Sequence, residues 1–109
     1  MLVVNRFVVL GDDTDFRTRA TAALAALGAR PGYLRGRLGR AYDDPNRWTL
    51  LTEWESVGAY RRALSAYEVK VNATPLLAES LDEPSAFEIL GEAAPGGPVV
   101  ATESDLARP

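Results

Sequence analysis

The stretch YLRGRLGRAY-DDPN-RWTLLTEWE, residues 33–55, decides the fold, because its pattern is that of two strands joined by a tight turn. Residues 33–42 and 47–55 contain the Tyr, Trp, Thr and Leu residues that favour extended structure. Between them, residues 43–46 combine two aspartates, a proline and an asparagine, which are typical turn formers. The sequence therefore predicts a β-hairpin in the middle of the chain.

The segment before this hairpin predicts a strand followed by a helix. Residues 2–10 are mostly β-branched or aromatic, and we expect a strand that is largely buried on both faces. Thr14 or Asp15 is expected to cap the following helix and Gly28 to end it, with a turn at residues 31–32. Apolar residues recur in this helix at helical spacing, at Phe16, Ala20, Ala23, Leu24 and Leu27.

The segment after the hairpin predicts two short helices and a last strand. Ser56 is expected to cap the first helix. Ser65 and Glu68 have the spacing of a capping box, which starts a second helix near residue 66. Pro75 interrupts that helix, and residues 85–90 form the final strand. The first of these helices turns Ala59, Tyr60, Ala63 and Leu64 inward.

The element order is therefore βαββαβ, which predicts an α+β, ferredoxin-like domain with helices on one face of a four-stranded antiparallel sheet. We expect this domain to cover residues 1–91. Residues 92–109 change composition and form an extended C-terminal tail, which is either flexible or lies along a partner subunit.

The face of the sheet without helices indicates a homodimer. Alternation along the first strand places Leu2, Val4 and Val8 on that face, which is too apolar to leave exposed on a small monomer. Packing the two sheet faces around a two-fold axis buries both with one self-complementary surface.

The composition excludes several classes of function. A net charge of −3 and a pI near 4.9 argue against nucleic acid as a partner. The sequence contains no Cys and no His, which removes thiolate catalysis, imidazole general bases and the usual protein ligands of zinc and haem. The apolar runs are too short to span a membrane, and the first residues lack the layout of a signal peptide, so we expect a cytoplasmic protein.

Four features together resemble the antibiotic biosynthesis monooxygenase family over about residues 1–91. They are Val-Val-Asn5-Arg-Phe, then Pro31-Gly32-Tyr33-Leu34, then Thr52-Glu-Trp54-Glu-Ser56 leading to Ala59-Tyr60, and the closing Ala86-Phe-Glu-Ile-Leu90. The resemblance implies a dimeric α/β barrel, made from the two sheets, with one pocket per subunit between helices and sheet. One branch of this family oxidises anthrone-type rings with molecular oxygen and no cofactor, and another binds and degrades haem.

The match to each branch is incomplete. Asn5 lies where the haem branch has an Asn, but Ala63 and Asn72 stand where that branch has a Trp and its proximal His. The resemblance therefore implies no cofactor, with haem disfavoured. Trp54 and Tyr60 match the Trp and Tyr of the anthrone pocket. Leu50 stands where that branch has an Asn, four residues before the Trp. Part of the motif therefore implies a reaction on a small aromatic ligand.

Three residues are candidates for catalysis. Asn5 is an amide within an apolar strand, and leaving it unpaired would cost about 1–3 kcal/mol, so it holds either a substrate oxygen or a backbone group. Trp54 either lines the pocket or packs with its N–H on a local acceptor. Tyr60 either donates to a substrate carbonyl or lies in the core with its hydroxyl at the rim. Further candidates for contact with substrate are Phe7, Trp48, Tyr67 and Asn72.

These candidates lead to one geometric expectation and three functional hypotheses. Asn5, Phe7, Trp54 and Tyr60 are expected to converge on one cavity between the helices and the sheet. The first hypothesis is a cofactor-independent monooxygenase that acts on a small polycyclic aromatic or quinol. The second is a non-catalytic dimeric module that binds a ligand or a partner, and the third is haem binding. The arginines of residues 35–62 form either a solvated surface or a rim that attracts an acidic substrate.

Overall fold

The sheet has four antiparallel strands in the order β2-β3-β1-β4, as the sequence predicts for an α+β, ferredoxin-like fold. The computed structural model describes residues 1–106, and the last three residues of the predicted tail lie outside it. The elements in chain order are β1 (Leu2–Val8), α1 (Thr14–Gly28), β2 (Tyr33–Arg40), β3 (Arg47–Trp54), α2 (Val57–Ser65), α3 (Tyr67–Asn72), α4 (Thr74–Leu77), β4 (Ala86–Phe87), β5 (Gly91–Glu92) and β6 (Val100–Ala101).

Only one face of the sheet is buried, so the expectation that β1 is covered on both sides is wrong for the single chain. The helices cover one face, and along β1 the buried side chains alternate with partly or fully exposed ones. We call the helix-covered side the inner face and the other side the open face. The inner face carries Val3, Asn5 and Phe7 from β1, and Trp48, Leu50, Thr52 and Trp54 from β3.

Helix α1 packs on the inner face through the residues that its periodicity indicates. Phe16, Ala20, Ala23 and Leu27 are all buried, and Leu24 is partly buried beside them. The cap differs from the prediction, because the Asp12 carboxylate accepts a hydrogen bond from the Thr14 backbone N–H at 2.9 Å. The Thr14 hydroxyl also donates to this carboxylate, at 2.7 Å, and the hydroxyl and backbone hydrogen bonds together lower the pKa of Asp12 below its usual range. An acid two residues before Thr14 therefore satisfies the start of the helix.

Both α2 and α3 start where the sequence predicts, but the cap of α3 differs from the predicted one. Ser56 Oγ accepts from the Ala59 backbone N–H at 3.1 Å, as an N-cap should. The capping box predicted at Ser65 and Glu68 does not form, because Ser65 Oγ donates to the carbonyl of Arg61 at 3.2 Å. The extended backbone of Ala66 breaks the helix instead.

Gly32 sets the position of α2 against the start of β2. Its φ of +87° lies in the left-handed region, and a Cβ at this position would collide with the Cβ of Ala59 on α2. The carbonyl of Gly32 accepts from the Glu55 N–H at 2.8 Å. Glycine in the Pro-Gly turn is therefore required both by the backbone conformation and by the close approach of the helix.

The last predicted strand is much shorter than expected, and the tail is partly ordered. Phe87 pairs with Leu2, the first residue of β1, so no residue of β1 remains to pair beyond it. The chain then forms a small hairpin in which β5 pairs with β6 around a turn at Gly96, where φ is +71°. Glu88 accepts hydrogen bonds from Ser104 Oγ and from the Asp105 N–H, which hold the end of this hairpin.

Within residues 1–106, no helix combines the length and apolar character that crossing a bilayer would require.

Candidate functional site

The inner face carries two aromatic clusters at opposite ends of β3. The first, which we call the tyrosine cluster, consists of Tyr33, Trp54 and Tyr60. The ring centroid of Trp54 lies 5.3 Å from that of Tyr33 and 5.4 Å from that of Tyr60. Trp54 is 1% exposed, and its Nε1 donates to Thr52 Oγ1 at 2.9 Å. The indole N–H is therefore occupied inside the protein, which corresponds to the packing alternative for Trp54.

Both phenols of the tyrosine cluster are held in their neutral form. Burial raises the pKa of Tyr60 and the pKa of Tyr33, because the apolar surroundings disfavour the phenolate. Space for Tyr33 is provided by Gly36, since a Cβ there would collide with the Tyr33 hydroxyl and lie 2.8 Å from Leu24 Cδ2. From the sequence, Tyr33 is expected in the core, at the dimer contact or in the pocket lining, and the structure packs its ring against Trp54.

The second group, the tryptophan cluster, consists of Phe7, Phe16 and Trp48. The ring centroid of Phe16 lies 5.2 Å from that of Phe7 and 5.2 Å from that of Trp48. Two guanidinium groups lie over the Trp48 ring, Arg17 at 5.3 Å and Arg40 at 5.0 Å. The Trp48 Nε1 is buried and has no hydrogen-bond partner among residues 1–106.

Asn5 lies between the two clusters, opposite Leu50 on the inner face. It is 9% exposed, and its side-chain Nδ2 lies 3.5 Å from Ser80 Oγ, at the outer limit of a hydrogen bond. Ser80 Oγ in turn donates to the Leu77 carbonyl at 2.7 Å. The Asn5 side chain is therefore held weakly by another side chain. Among residues 1–106 it forms no hydrogen bond to a backbone group, which was the alternative to holding a substrate oxygen.

The structure does not bring Asn5, Phe7, Trp54 and Tyr60 around one cavity. Trp48 and Trp54 are six residues apart on one strand, which corresponds to about 20 Å. Phe7 contacts the tryptophan cluster, whereas Tyr60 contacts the cluster at the other end of β3. Asn5 and Phe7 share the inner face, as alternation along β1 predicts, but the length of β3 separates Phe7 from Tyr60.

Tyr67 and Asn72 lie on the outer surface of α3. Tyr67 is 75% exposed. The Asn72 side-chain Nδ2 donates to the Glu68 carbonyl at 3.0 Å and to Glu68 Oε2 at 3.2 Å. Neither residue lines the cavity described next, so contact of these two side chains with substrate stays a prediction without geometric support.

A cavity of about 310 Å³ lies at the end of the sheet, beside the ends of β1 and β2 and the start of β3. Phe7 and Trp48, two of the predicted substrate contacts, are part of its wall with Ala41 and Leu81. The remaining lining residues are Arg6, Arg40 and Arg47, with Gly39 and Thr49. Arg6, Arg47 and Thr49 belong to the open face, whereas Phe7, Trp48 and Arg40 lie in the register of the inner face, so the lining combines residues of both faces. Arg6 is a lining residue that the sequence reasoning missed.

Metal binding has no support from side-chain clustering. Among residues 1–106, no group of three or more His, Cys, Asp or Glu side chains lies close enough to hold an ion. The cavity wall contains no carboxylate, phenol or amide. Its chemistry is therefore limited to apolar contact, hydrogen-bond donation from guanidinium groups and the Thr49 hydroxyl.

Comparison with known proteins gives a consistent result. The model of the antibiotic biosynthesis monooxygenase family matches residues 1–71. SnoaB, a cofactor-independent oxygenase from Streptomyces nogalater, is 32% identical, with 84% of this chain and 96% of that chain covered and a TM-score of 0.65. A putative antibiotic biosynthesis monooxygenase from Bordetella bronchiseptica is 19% identical with 96% of both chains covered and a TM-score of 0.60, which shows the shared fold. None of the curated proteins matches this sequence.

Proposed function

Because the chain belongs to the antibiotic biosynthesis monooxygenase family, we propose that it is a cofactor-independent monooxygenase that oxidises a small polycyclic aromatic or quinol with molecular oxygen. The observation that carries this proposal is the 32% identity, over 84% of this chain, to a cofactor-independent oxygenase. The absence of His and Cys from the sequence fits chemistry that needs no imidazole or thiolate.

In this reaction the substrate supplies all the electrons. Oxidation of an anthrone methylene replaces two C–H bonds by one C=O, which releases four electrons to one molecule of oxygen. One oxygen atom enters the product as the carbonyl, and the other leaves as water with the two hydrogens. The protein is left to remove water around the substrate, to favour its enolate or phenolate and to hold it near oxygen.

The roles proposed for Tyr60 and Asn5 are those of hydrogen-bond donors to the substrate oxyanion. Since burial raises the pKa of Tyr60, its phenol stays protonated at neutral pH and donates rather than accepts a proton. The weakly engaged Nδ2 of Asn5, on the inner face of the sheet, is the second proposed donor. The proton removed from the substrate then passes to water, to a carboxylate or to a base on the substrate itself. Trp54, bonded to Thr52, positions the Tyr60 ring by packing.

A homodimer through the open faces is part of the same proposal. The apolar half of that face carries Leu2, Val4, Leu51 and Phe87 near the start of β1, and Phe87 is 40% exposed in the single chain. Two such surfaces, packed around a two-fold axis, would remove this apolar area from water.

Anaerobically prepared anthrone tests the oxygenase proposal. The expected result is enzyme-dependent uptake of one O₂ per anthrone and of one ¹⁸O atom from ¹⁸O₂, unchanged by EDTA. Asn5→Ala should lower kcat at least about tenfold while shifting Tm by only a few degrees, since it removes a donor worth about 1–3 kcal/mol. The matched control is Asn46→Ala, an exposed amide in the turn between β2 and β3 that should leave kcat unchanged. Turnover equal to that of buffer alone would reject the proposal.

A second candidate, a non-catalytic binding module, is supported by one observation. The cavity wall includes none of Asn5, Trp54 and Tyr60 and contains no group that could act as a base. If this candidate is correct, polycyclic aromatics bind saturably and no oxygen is consumed. The oxygen-uptake experiment therefore separates the two functions.

A further inference from the structure

The edge of the sheet formed by β2 is long and has no partner strand. The strand order β2-β3-β1-β4 pairs β2 with β3 alone, so the outer side of its eight residues meets no other strand among residues 1–106. Alternate residues of an edge strand direct their N–H and C=O groups away from the sheet, and native proteins usually cover or protect such an edge. The free edge, as we call this side of β2, therefore offers hydrogen bonds to a further segment of chain.

The open face beside the free edge is strongly basic. In the described strands, the register places one acid on this face, Glu53, and four arginines, which are Arg6, Arg35, Arg37 and Arg47. Glu53 Oε2 already lies 3.6 Å from Arg35 Nε. Arg37 is exposed and makes no ion pair within residues 1–106. Packing two such faces together would therefore bury arginines without enough acids from the strands to neutralise them.

The end of the chain has the opposite charge. Residues 88–106, which we call the acidic arm, contain Glu88, Glu92, Glu103 and Asp105 and neither Lys nor Arg. These acids belong to a chain whose net charge is −3, so the arm accounts for the excess of negative charge. Glu92 and Glu103 are exposed, and neither has a cationic partner in the part of the chain that the structure describes. The acidic arm therefore has two carboxylates to offer to a basic surface.

The acidic arm also has little cover of its own. Within residues 1–106, β5 and β6 pair only with each other, and a hairpin of two strands is marginally stable without further packing. Val99 and Val100 are 74% and 60% exposed. Because the arm follows β4, it begins at the edge of the sheet opposite β2, three strand spacings or about 14 Å away. The two complementary surfaces therefore lie at opposite edges of one subunit.

A two-fold axis that runs along the strands brings these surfaces together. Such an axis, placed between two stacked sheets, puts the β4 edge of each copy opposite the β2 edge of the other and keeps the same ends of the strands together. Phe87, after which the arm begins, pairs with Leu2, and β2 begins at this same end of the sheet. The arm of one copy therefore meets the half of the free edge that carries Arg35 and Arg37.

We propose that, in the homodimer, the acidic arm of each subunit docks on the free edge of the other, with the carboxylates of Glu92 and Glu103 beside the partner's Arg37. This inference rests on the homodimer of the proposed function and identifies the segment that closes it. Docking covers both free edges, neutralises an otherwise unpaired guanidinium group and removes Val99 and Val100 from water. Each dimer contains this contact twice.

The dissociation constant of the dimer, measured by sedimentation velocity on the full chain, tests the charges. The double variant Glu92→Gln, Glu103→Gln and the single variant Arg37→Gln should each raise this constant about tenfold, because each change removes two symmetry-related contacts. Combining all three changes should weaken the dimer little further, since they remove the same contact. The matched control is Arg61→Gln on α2, an exposed arginine without an ion pair among residues 1–106, which should leave the constant unchanged.

The absence of Cys from the sequence allows a direct test of position. The double variant Arg37→Cys, Glu92→Cys, treated with a short bismaleimide, should give a covalent dimer on denaturing gels. Each single variant should remain at the mass of one chain, and so should the control pair Arg61→Cys, Glu92→Cys. A cross-link formed by Arg37→Cys alone would show that the partner's own free edge covers this position, and a cross-link within one chain would place the arm on its own subunit. Either result would overturn the inference.

The outcomes separate this inference from the proposals on which it rests. A dimer of unchanged affinity in Arg37→Gln, or fully additive effects of the arm and Arg37 variants, would overturn the docking and leave the homodimer in place. A wild type that stays at the mass of one chain would refute the homodimer and the docking together. Oxygen uptake with anthrone tests the monooxygenase independently of both.

Discussion

Replacing Trp54 by Phe is expected to destabilise the protein by about 2–4 kcal/mol, whereas the same change at Trp48 should cost about 1 kcal/mol or less. Both indoles lie on the inner face of β3 and both are almost fully buried, at 1% and 5% exposure. They differ in one respect, because the N–H of Trp54 is bonded to Thr52 and that of Trp48 has no partner in the described part of the chain.

The magnitude follows from two contributions. Either substitution removes about 50 Å² of buried apolar surface, which corresponds to about 1 kcal/mol. Trp54→Phe also leaves the Thr52 hydroxyl without its donor, at a cost of about 1–3 kcal/mol. Trp48→Phe instead removes a buried N–H that is already unpaired, and this gain offsets the lost area and the weaker contact with Arg17 and Arg40.

Thermal unfolding by circular dichroism at one fixed protein concentration measures the difference. A gap of about 2 kcal/mol should separate the two Tm values by roughly 10 °C in a domain of this size. A double-mutant cycle with Thr52→Val, an isosteric change, should give a coupling of about 1 kcal/mol with Trp54→Phe and none with Trp48→Phe. Equal Tm values, or a lower Tm for Trp48→Phe, would refute the reasoning.

Gly32→Ala should cost at least about 2 kcal/mol in urea unfolding, because it combines a left-handed φ with a collision against Ala59, whereas Gly39→Ala should be neutral or slightly stabilising. The free energy of unfolding should fall as the pH rises above about 10, because the phenols ionise first in the unfolded chain while burial keeps the folded pKa values of Tyr33 and Tyr60 higher. The double variant Tyr33→Phe, Tyr60→Phe should lose this dependence of stability on pH. An unchanged dependence would contradict the assignment. Light scattering at micromolar concentration should give about 24 kDa, twice the 11.8 kDa of one chain, and a value near one chain would count against the dimer. Hemin should produce no saturating one-per-subunit Soret band, because the sequence offers neither His nor Cys, and such a band would require a different ligand.

The fold was predictable because its signals are local and repeated. Alternation on β3 and the helical spacing of α1 each fix one buried face, and the turn at residues 43–46 joins the two strands of the hairpin. The capping box at Ser65 failed because the same hydroxyl bonds back to the preceding turn of its own helix. The short β4 could not be foreseen, since its length depends on where β1 begins in the paired register.

The candidate site was predictable only in part, because it depends on distances that span several elements. Periodicity placed Asn5 and Phe7 on the inner face, but it gives no separation between Phe7 and Tyr60. The cavity arises from the lack of a side chain at Gly39, and absent volume has no signature in a hydrophobic pattern.

The two tryptophans of the chain also make it a natural two-site reporter of cooperativity. Each single-tryptophan variant retains one indole at one end of β3, either with the phenols or with the guanidinium groups. Fluorescence from the two variants therefore follows unfolding at two places about 20 Å apart along a single strand. For each variant, the midpoint of the fluorescence transition is compared with the midpoint measured by circular dichroism on the same variant. Coincident midpoints would establish that the sheet unfolds in one step, and separated midpoints would locate the end of β3 that opens first.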